Sequence, residues 1–134
     1  MLLGTQVLGA LIAESMASVE QHVTMPQLRV LLLARAEPPV NLTTVARDLR
    51  VHPSNATRTC DRLVAAGLLD RRTSERDRRQ VELSLTPTGR RLVTKVMRHR
   101  RRRIRQLMGK MSAADRAALA RSLRALADAG HPDT

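Results

Sequence analysis

The sequence predicts a mainly α-helical fold that carries one small β-hairpin. Three observations predict it. Apolar residues recur at helical spacing along most of the 134 residues, as in Leu28, Leu31 and Leu32. Val81, Leu83 and Leu85 alternate with Gln80, Glu82 and Ser84, the two-residue period of a half-buried strand. Capping and breaking residues divide the chain into pieces of helix length, giving the order helix, helix, helix, helix, hairpin, helix, helix.

The first helix is marked by Leu8, Leu11, Ile12, Ser15, Met16 and Val19, which share one face. Met1 to Ala13 superficially resembles a signal peptide. However, the first basic side chain is Arg29, so the positive n-region is missing. No apolar run reaches the ~18 residues needed to span a bilayer. The expectation is a cytoplasmic, nucleoid-associated protein with no membrane partner.

Thr24-Met25-Pro26-Gln27 reads as a capping box opening a second helix that stops before Pro38-Pro39. Asn41 caps a short helix from Leu42 to Leu49. Pro53 suits the first turn of the next, which runs to Ala66 and ends at Gly67. Leu68 to Arg72 pairs with the Val81–Leu85 strand across a polar turn, Thr73 to Arg79. Thr86-Pro87 opens a long helix to about Met111. Ser112 to Asp115 is a second capping box, and Gly130 with Pro132 closes the last helix.

Composition narrows the function. The net charge is +12, from 24 Lys and Arg against 12 Asp and Glu. The excess is local. Residues 1–40 carry two basic and three acidic side chains, residues 41–110 nineteen and six, and residues 111–134 three of each. A basic segment between neutral arms is the electrostatic footprint of a polyanion-binding protein. With 43% hydrophobic residues the chain is too apolar for a disordered basic tail. The absence of Phe, Trp and Tyr argues against domains that stack bases on aromatic rings. One cysteine excludes an intrachain disulfide, and His22, His99 and His131 have no metal-ligand spacing. No Walker loop, HExxH, GxSxG or apolar carboxylate pair is present, so no catalytic residue and no cofactor are expected.

Residues 42–58 carry a helix-turn-helix pattern. Small Ala46 lets two helices cross closely, and Leu49, Val51 and Ala56 fill the space between them. The second helix offers Ser54, Asn55, Thr57, Arg58 and Arg62. Arg can bind guanine bidentately, Asn can bind adenine, and Ser or Thr can hold phosphates or bases. The hairpin turn that follows, with Arg76, Asp77, Arg78 and Arg79, fits a wing reaching a minor groove.

Four ordered motifs carry a family resemblance: Thr24 to Leu31 (TMPQLRVL), Asp61 to Arg71 (DRLVAAGLLDR), Asp77 to Arg79, and Leu85 to Gly89 (LTPTG). Together they resemble the MarR family of bacterial regulators over residues 24–90. The resemblance implies a winged helix-turn-helix lobe at 24–86, flanked by dimerisation helices at 1–23 and 87–134. It implies a homodimer on double-stranded DNA, most simply a repressor at a pseudo-palindromic operator. It makes Arg79 the minor-groove residue and Asp77 its brace. An architectural protein coating DNA with little sequence preference is the alternative.

Two positions depart from the family pattern. Arg50 stands in the turn where the family often has Gly. If the backbone there is left-handed, Arg costs about 1–2 kcal/mol, and it adds a cation for a phosphate. His52 stands where Ser or Asp would cap the recognition helix. Protonation would remove its acceptor beside a positive helix end, which gives DNA affinity a His52-linked pH dependence.

Apolar stripes at Leu92, Val93, Val96 and Met97, at Ile104, Leu107, Met108 and Met111, and at Leu119, Leu123 and Leu126 exceed what a wing lobe needs. The resemblance implies that they interlock two chains. The run Arg98 to Arg103 interrupts the stripe. The resemblance implies that small anionic or phenolic ligands can lie between the dimer helices and the DNA-binding lobe, which makes Arg98, Arg100 and Arg101 candidates for such a pocket, or for DNA-backbone contacts. Cys60, by its spacing from Ala56 and Leu63, reads as a buried, inert thiol.

Overall fold

The computed structural model describes residues 1–130. The elements are α1 (Leu2–Ala17), α2 (Met25–Ala36), β1 (Val40–Asn41), α3 (Leu42–Leu49), α4 (Pro53–Ala65), β2 (Leu69–Thr73), β3 (Val81–Leu85), α5 (Pro87–Met108) and α6 (Ala113–Gly130). The mainly helical fold with a small wing is therefore observed. Pro132 and His131, on which the sequence reading also drew, lie outside the described residues. The chain forms two compact units, one over Met1–His99 and one from Arg100 onward.

The first unit holds the core. Leu28, Val30 and Leu31 of α2, Val45 of α3, Leu63 of α4, Leu83 of β3, and Val93 and Val96 of α5 are all fully or almost fully buried. The helices α2 to α5 each begin on a side-chain cap, which satisfies backbone N–H groups that have no intrahelical partner. The Thr24–Gln27 box is reciprocal, at 2.9 and 3.3 Å. Asn41 Oδ1 accepts from Thr44 N at 2.8 Å. Small residues let α3 and α4 pack closely, with Ala46 and Ala56 both buried. Val51, expected to help fill that space, is instead 37% exposed.

The hairpin of β2 and β3 is antiparallel, pairing Leu69 with Leu85 and Arg71 with Leu83. A third strand was not legible. β1 pairs Val40 with Leu83 and Asn41 with Glu82, so the order is β1-β3-β2. Two residues are too short for any period to show.

The LTPTG motif explains how β3 turns into α5. Thr86 Oγ1 donates to the Gly67 carbonyl at 2.6 Å and accepts from Gly89 N at 3.0 Å. Gly89 lies so close to β2 that a Cβ there would collide with the Leu68 carbonyl oxygen. The wing and α5 are thus locked together through backbone.

α1 buries Leu11 and Ser15 but leaves Leu2, Leu3, Val7, Leu8 and Ile12 exposed. In the second unit, the Ser112 hydroxyl accepts from Asp115 N at 3.1 Å at the start of α6. α6 buries no residue and presents Leu119, Leu123 and Leu126 to solvent.

A candidate nucleic-acid interface

α4 has one face in the core, through Ala56, Cys60 and Leu63. The opposite face carries exposed Ser54, Asn55, Arg58 and Arg62. Thr57 differs from the sequence expectation. It is half-buried, and its hydroxyl donates to the Pro53 carbonyl at 3.0 Å. Asn55 Oδ1 accepts from Arg58 Nη2 at 3.0 Å, so an amide and a guanidinium are held side by side on the exposed face. Both groups can redirect their remaining donors to base edges at little ordering cost.

His52 caps this helix. Its Nδ1 accepts from Ser54 N at 3.2 Å and lies 2.8 Å from Ser54 Oγ. Two ion pairs missed by the sequence reading brace the motif. Arg71 of β2 reaches Asp61 of α4 at 2.6 Å, and Arg29 of α2 reaches Asp48 of α3 at 3.4 Å. Both pairs are exposed, so each is worth only about 0–1 kcal/mol. Asp61 and Arg71 lie ten residues apart, and no helical or strand spacing connects them in the sequence.

The wing tip is organised by Ser74, a buried hydroxyl that the sequence reading did not single out. Its Oγ accepts from the Arg76 and Asp77 amides, both at 3.3 Å, while Asp77 Oδ1 accepts from Arg79 N at 3.0 Å. The Ser74 amide donates to the Gln80 carbonyl at 3.0 Å and closes the loop. These bonds leave Arg76, Arg78 and Arg79 exposed on a tied turn.

Cys60 is buried, and its thiol is pushed up to about 11 by desolvation, with Asp61 adding to the rise and Arg71 opposing it. A thiol so protonated is a poor nucleophile. Among the described residues no three His, Cys, Asp or Glu side chains converge on a metal-sized site, and no helix is long and apolar enough to cross a membrane.

The Arg98–Arg103 run divides by burial. Arg98 and Arg101 are exposed. Arg100 is half-buried, and desolvation lowers its pKa. A cleft of about 380 Å³ lies elsewhere, lined by Val19, His22, Ala66, Leu68, Thr88, Arg91, Leu92 and Lys95. It includes none of the three arginines singled out from the sequence. Its cations, Arg91 and Lys95, come from one to two turns earlier in α5, with Arg91 Nη2 donating to Thr88 Oγ1 at 3.0 Å.

Comparison with known proteins agrees with this architecture. A family model described as MarR family matches residues 23–81. The crystal structure of RV1404 from Mycobacterium tuberculosis is similar over 99% of this chain and 91% of that one, with 40% identity and a TM-score of 0.85. The HTH-type transcriptional repressor MdtR of Bacillus subtilis is 36% identical over 77 residues, 57% of this chain and 50% of that protein. The chain thus matches about half the length of such curated relatives. FabT of Streptococcus pneumoniae, solved in complex with DNA, shares the fold at 22% identity, with a TM-score of 0.78 and coverage of 94% of this chain and 90% of that one. The exposed polar face of α4, the tied basic wing and these similarities lead to one conclusion: the chain belongs to the MarR family of DNA-binding transcriptional regulators.

Proposed function

We propose that the protein is a sequence-specific repressor that acts as a cytoplasmic homodimer on a pseudo-palindromic operator. The observation that carries this reading is the exposed face of α4. Ser54, Asn55, Arg58 and Arg62 project from a helix whose other face is fixed in the core. A rigid helix with base-reading side chains is what major-groove recognition requires. Arg76, Arg78 and Arg79 of the wing, with Asp77 bracing the turn, supply the flanking minor-groove contact. The repressor assignment is supported by the similarity to MdtR. The homodimer is supported by the apolar side chains left exposed on α1 and, separately, on α6.

The cleft beside Arg91 and Lys95 suits a small anion with an apolar body. It combines two cations with Val19, Leu68 and Leu92. A carboxylate or phenolate ligand there would be the release signal. Arg98 and Arg101 then remain for DNA-backbone attraction.

Fluorescence polarisation tests the main reading. The pure protein is titrated against DNA from upstream of its own gene and against a shuffled duplex of equal length. A preference of about a thousandfold or more supports the specific repressor. Equal affinity for these duplexes, and for duplexes enriched from a random library, would leave the architectural reading instead.

A further inference from the structure

Two helices of the motif end in the same way. At the end of α4 the Gly67 amide bonds the Val64 carbonyl at 3.0 Å and the Leu68 amide bonds the Leu63 carbonyl at 2.9 Å, with Gly67 at φ 75°. At the end of α3 the Arg50 amide bonds the Arg47 carbonyl at 3.2 Å and the Val51 amide bonds the Ala46 carbonyl at 3.1 Å, with Arg50 at φ 55° and ψ 46°. This termination needs one left-handed residue, and Gly fills it without steric cost. Arg50 is the one non-glycine residue with positive φ among the described residues. Strain of this kind persists where the side chain serves a purpose.

The Arg50 side chain is exposed and makes no hydrogen bond or ion pair among the described residues. Asp48, the nearest carboxylate in sequence, is engaged by Arg29 through both its side chain and its carbonyl. Arg47, three residues earlier, is exposed as well. Two residues after Arg50, His52 caps α4, and exposed Ser54 and Asn55 follow. A free guanidinium is therefore anchored by a strained turn at the edge of the base-reading helix.

We infer that Arg50 is a DNA-phosphate contact, positioned by the left-handed turn between α3 and α4, at a cost to the stability of the fold. The inference rests on the DNA-binding reading of α4. It is a positioning contact rather than a base-reading one, because a phosphate carries no sequence information. Such a residue leaves a signature of opposite signs. Replacing it relieves the turn and weakens binding equally on all sequences.

The test uses Arg50→Asn, which keeps a residue suited to the left-handed region, and Arg50→Lys, which keeps charge and strain. Binding is measured from 0.05 to 0.3 M salt on the duplex enriched from a random library and on a shuffled duplex. For each Arg50 that reaches a phosphate, Arg50→Asn should flatten the slope of log affinity against log salt by about 0.9. Extrapolated from molar salt, that slope gives about fivefold weaker binding at 0.15 M for one contact and about thirtyfold for the two of a dimer, on both duplexes alike. Its melting temperature should rise by roughly 2–4 °C. Arg50→Lys should bind within about threefold of the parent and melt like it, since an ammonium still meets a phosphate as a point charge. Unchanged affinity and salt slope in Arg50→Asn would overturn the inference. So would a loss confined to the enriched duplex, or a lower melting temperature. Arg58→Ala separates this from the underlying reading. If it leaves sequence preference intact, base readout by α4 fails whatever Arg50 does. If the parent binds neither duplex, both ideas fall.

Discussion

Cys60 shows how far one residue's surroundings set its chemistry. It lies in the middle of α4, on the face opposite the side chains proposed to meet DNA, and its thiol is buried and shifted up to about 11. The unfolded thiol titrates near its ordinary value of 9.0. Between about pH 9 and 11 the unfolded chain therefore loses a proton that the folded chain keeps, and stability falls as pH rises through that window. The two-unit difference corresponds to about 2–3 kcal/mol at most. Urea unfolding followed by circular dichroism, for the parent and for Cys60→Ala, should show a steeper decline in the parent across this range. Parallel curves would mean that the thiol is not protected. At His52 the side chain acts through geometry instead: its Nδ1 accepts from Ser54 N and caps α4. His52→Ala removes that acceptor and should cost about 0.5–2 kcal/mol in urea unfolding, whereas His52→Ser should not. Equal losses would show that the cap does not matter.

At the scale of elements, the joint between wing and α5 leaves no room for a Cβ at Gly89. Gly89→Ala sets a methyl group against the Leu68 carbonyl oxygen, a backbone atom also bonded to Thr86 N at 3.1 Å. Neither partner can move without disturbing β2 or the start of α5. The substitution should cost about 1–3 kcal/mol or more in urea unfolding. A neutral result would mean that α5 pivots freely on the wing. Much of this geometry was legible beforehand. Thr24, Asn41 and Pro53 marked helix starts because capping chemistry is local and needs no tertiary partner. The alternation through Val81, Leu83 and Leu85 marked the central strand for the same reason. What was not legible depended on distant residues. The two-residue β1 exists only because Val40 meets Leu83. The Asp61–Arg71 brace, the Ser74 knot in the wing and the Arg91–Lys95 cleft each join chain segments that no periodicity relates.

The whole molecule must account for apolar surface that a single chain leaves in water. Leu2, Leu3, Val7, Leu8 and Ile12 of α1 stay exposed, as do Leu119, Leu123 and Leu126 of α6, although Leu28, Leu31 and Leu63 of the wing lobe are completely buried. Leaving large aliphatic side chains in solvent forfeits about 1.5–3 kcal/mol for a fully exposed one, and proportionately less for Leu8, Ile12, Leu119 and Leu123, which are already more than half covered. In the proposed dimer a second copy would cover them at no cost in new sequence, and twofold symmetry would set two α4 helices facing one duplex. Placing one carboxylate in each stripe tests this directly. Leu8→Glu and Leu123→Glu, made separately, should shift the mass in light scattering from twice the 14.9 kDa chain towards the chain itself. Far-UV circular dichroism should remain helical, because neither side chain is part of the wing-lobe core. Operator affinity should fall by about a hundredfold or more, since each lobe then binds without the effective concentration supplied by its twin. A variant that stays dimeric with its affinity intact would remove that stripe from the interface. A parent that is monomeric at micromolar concentration, yet binds DNA specifically, would overturn the dimer outright.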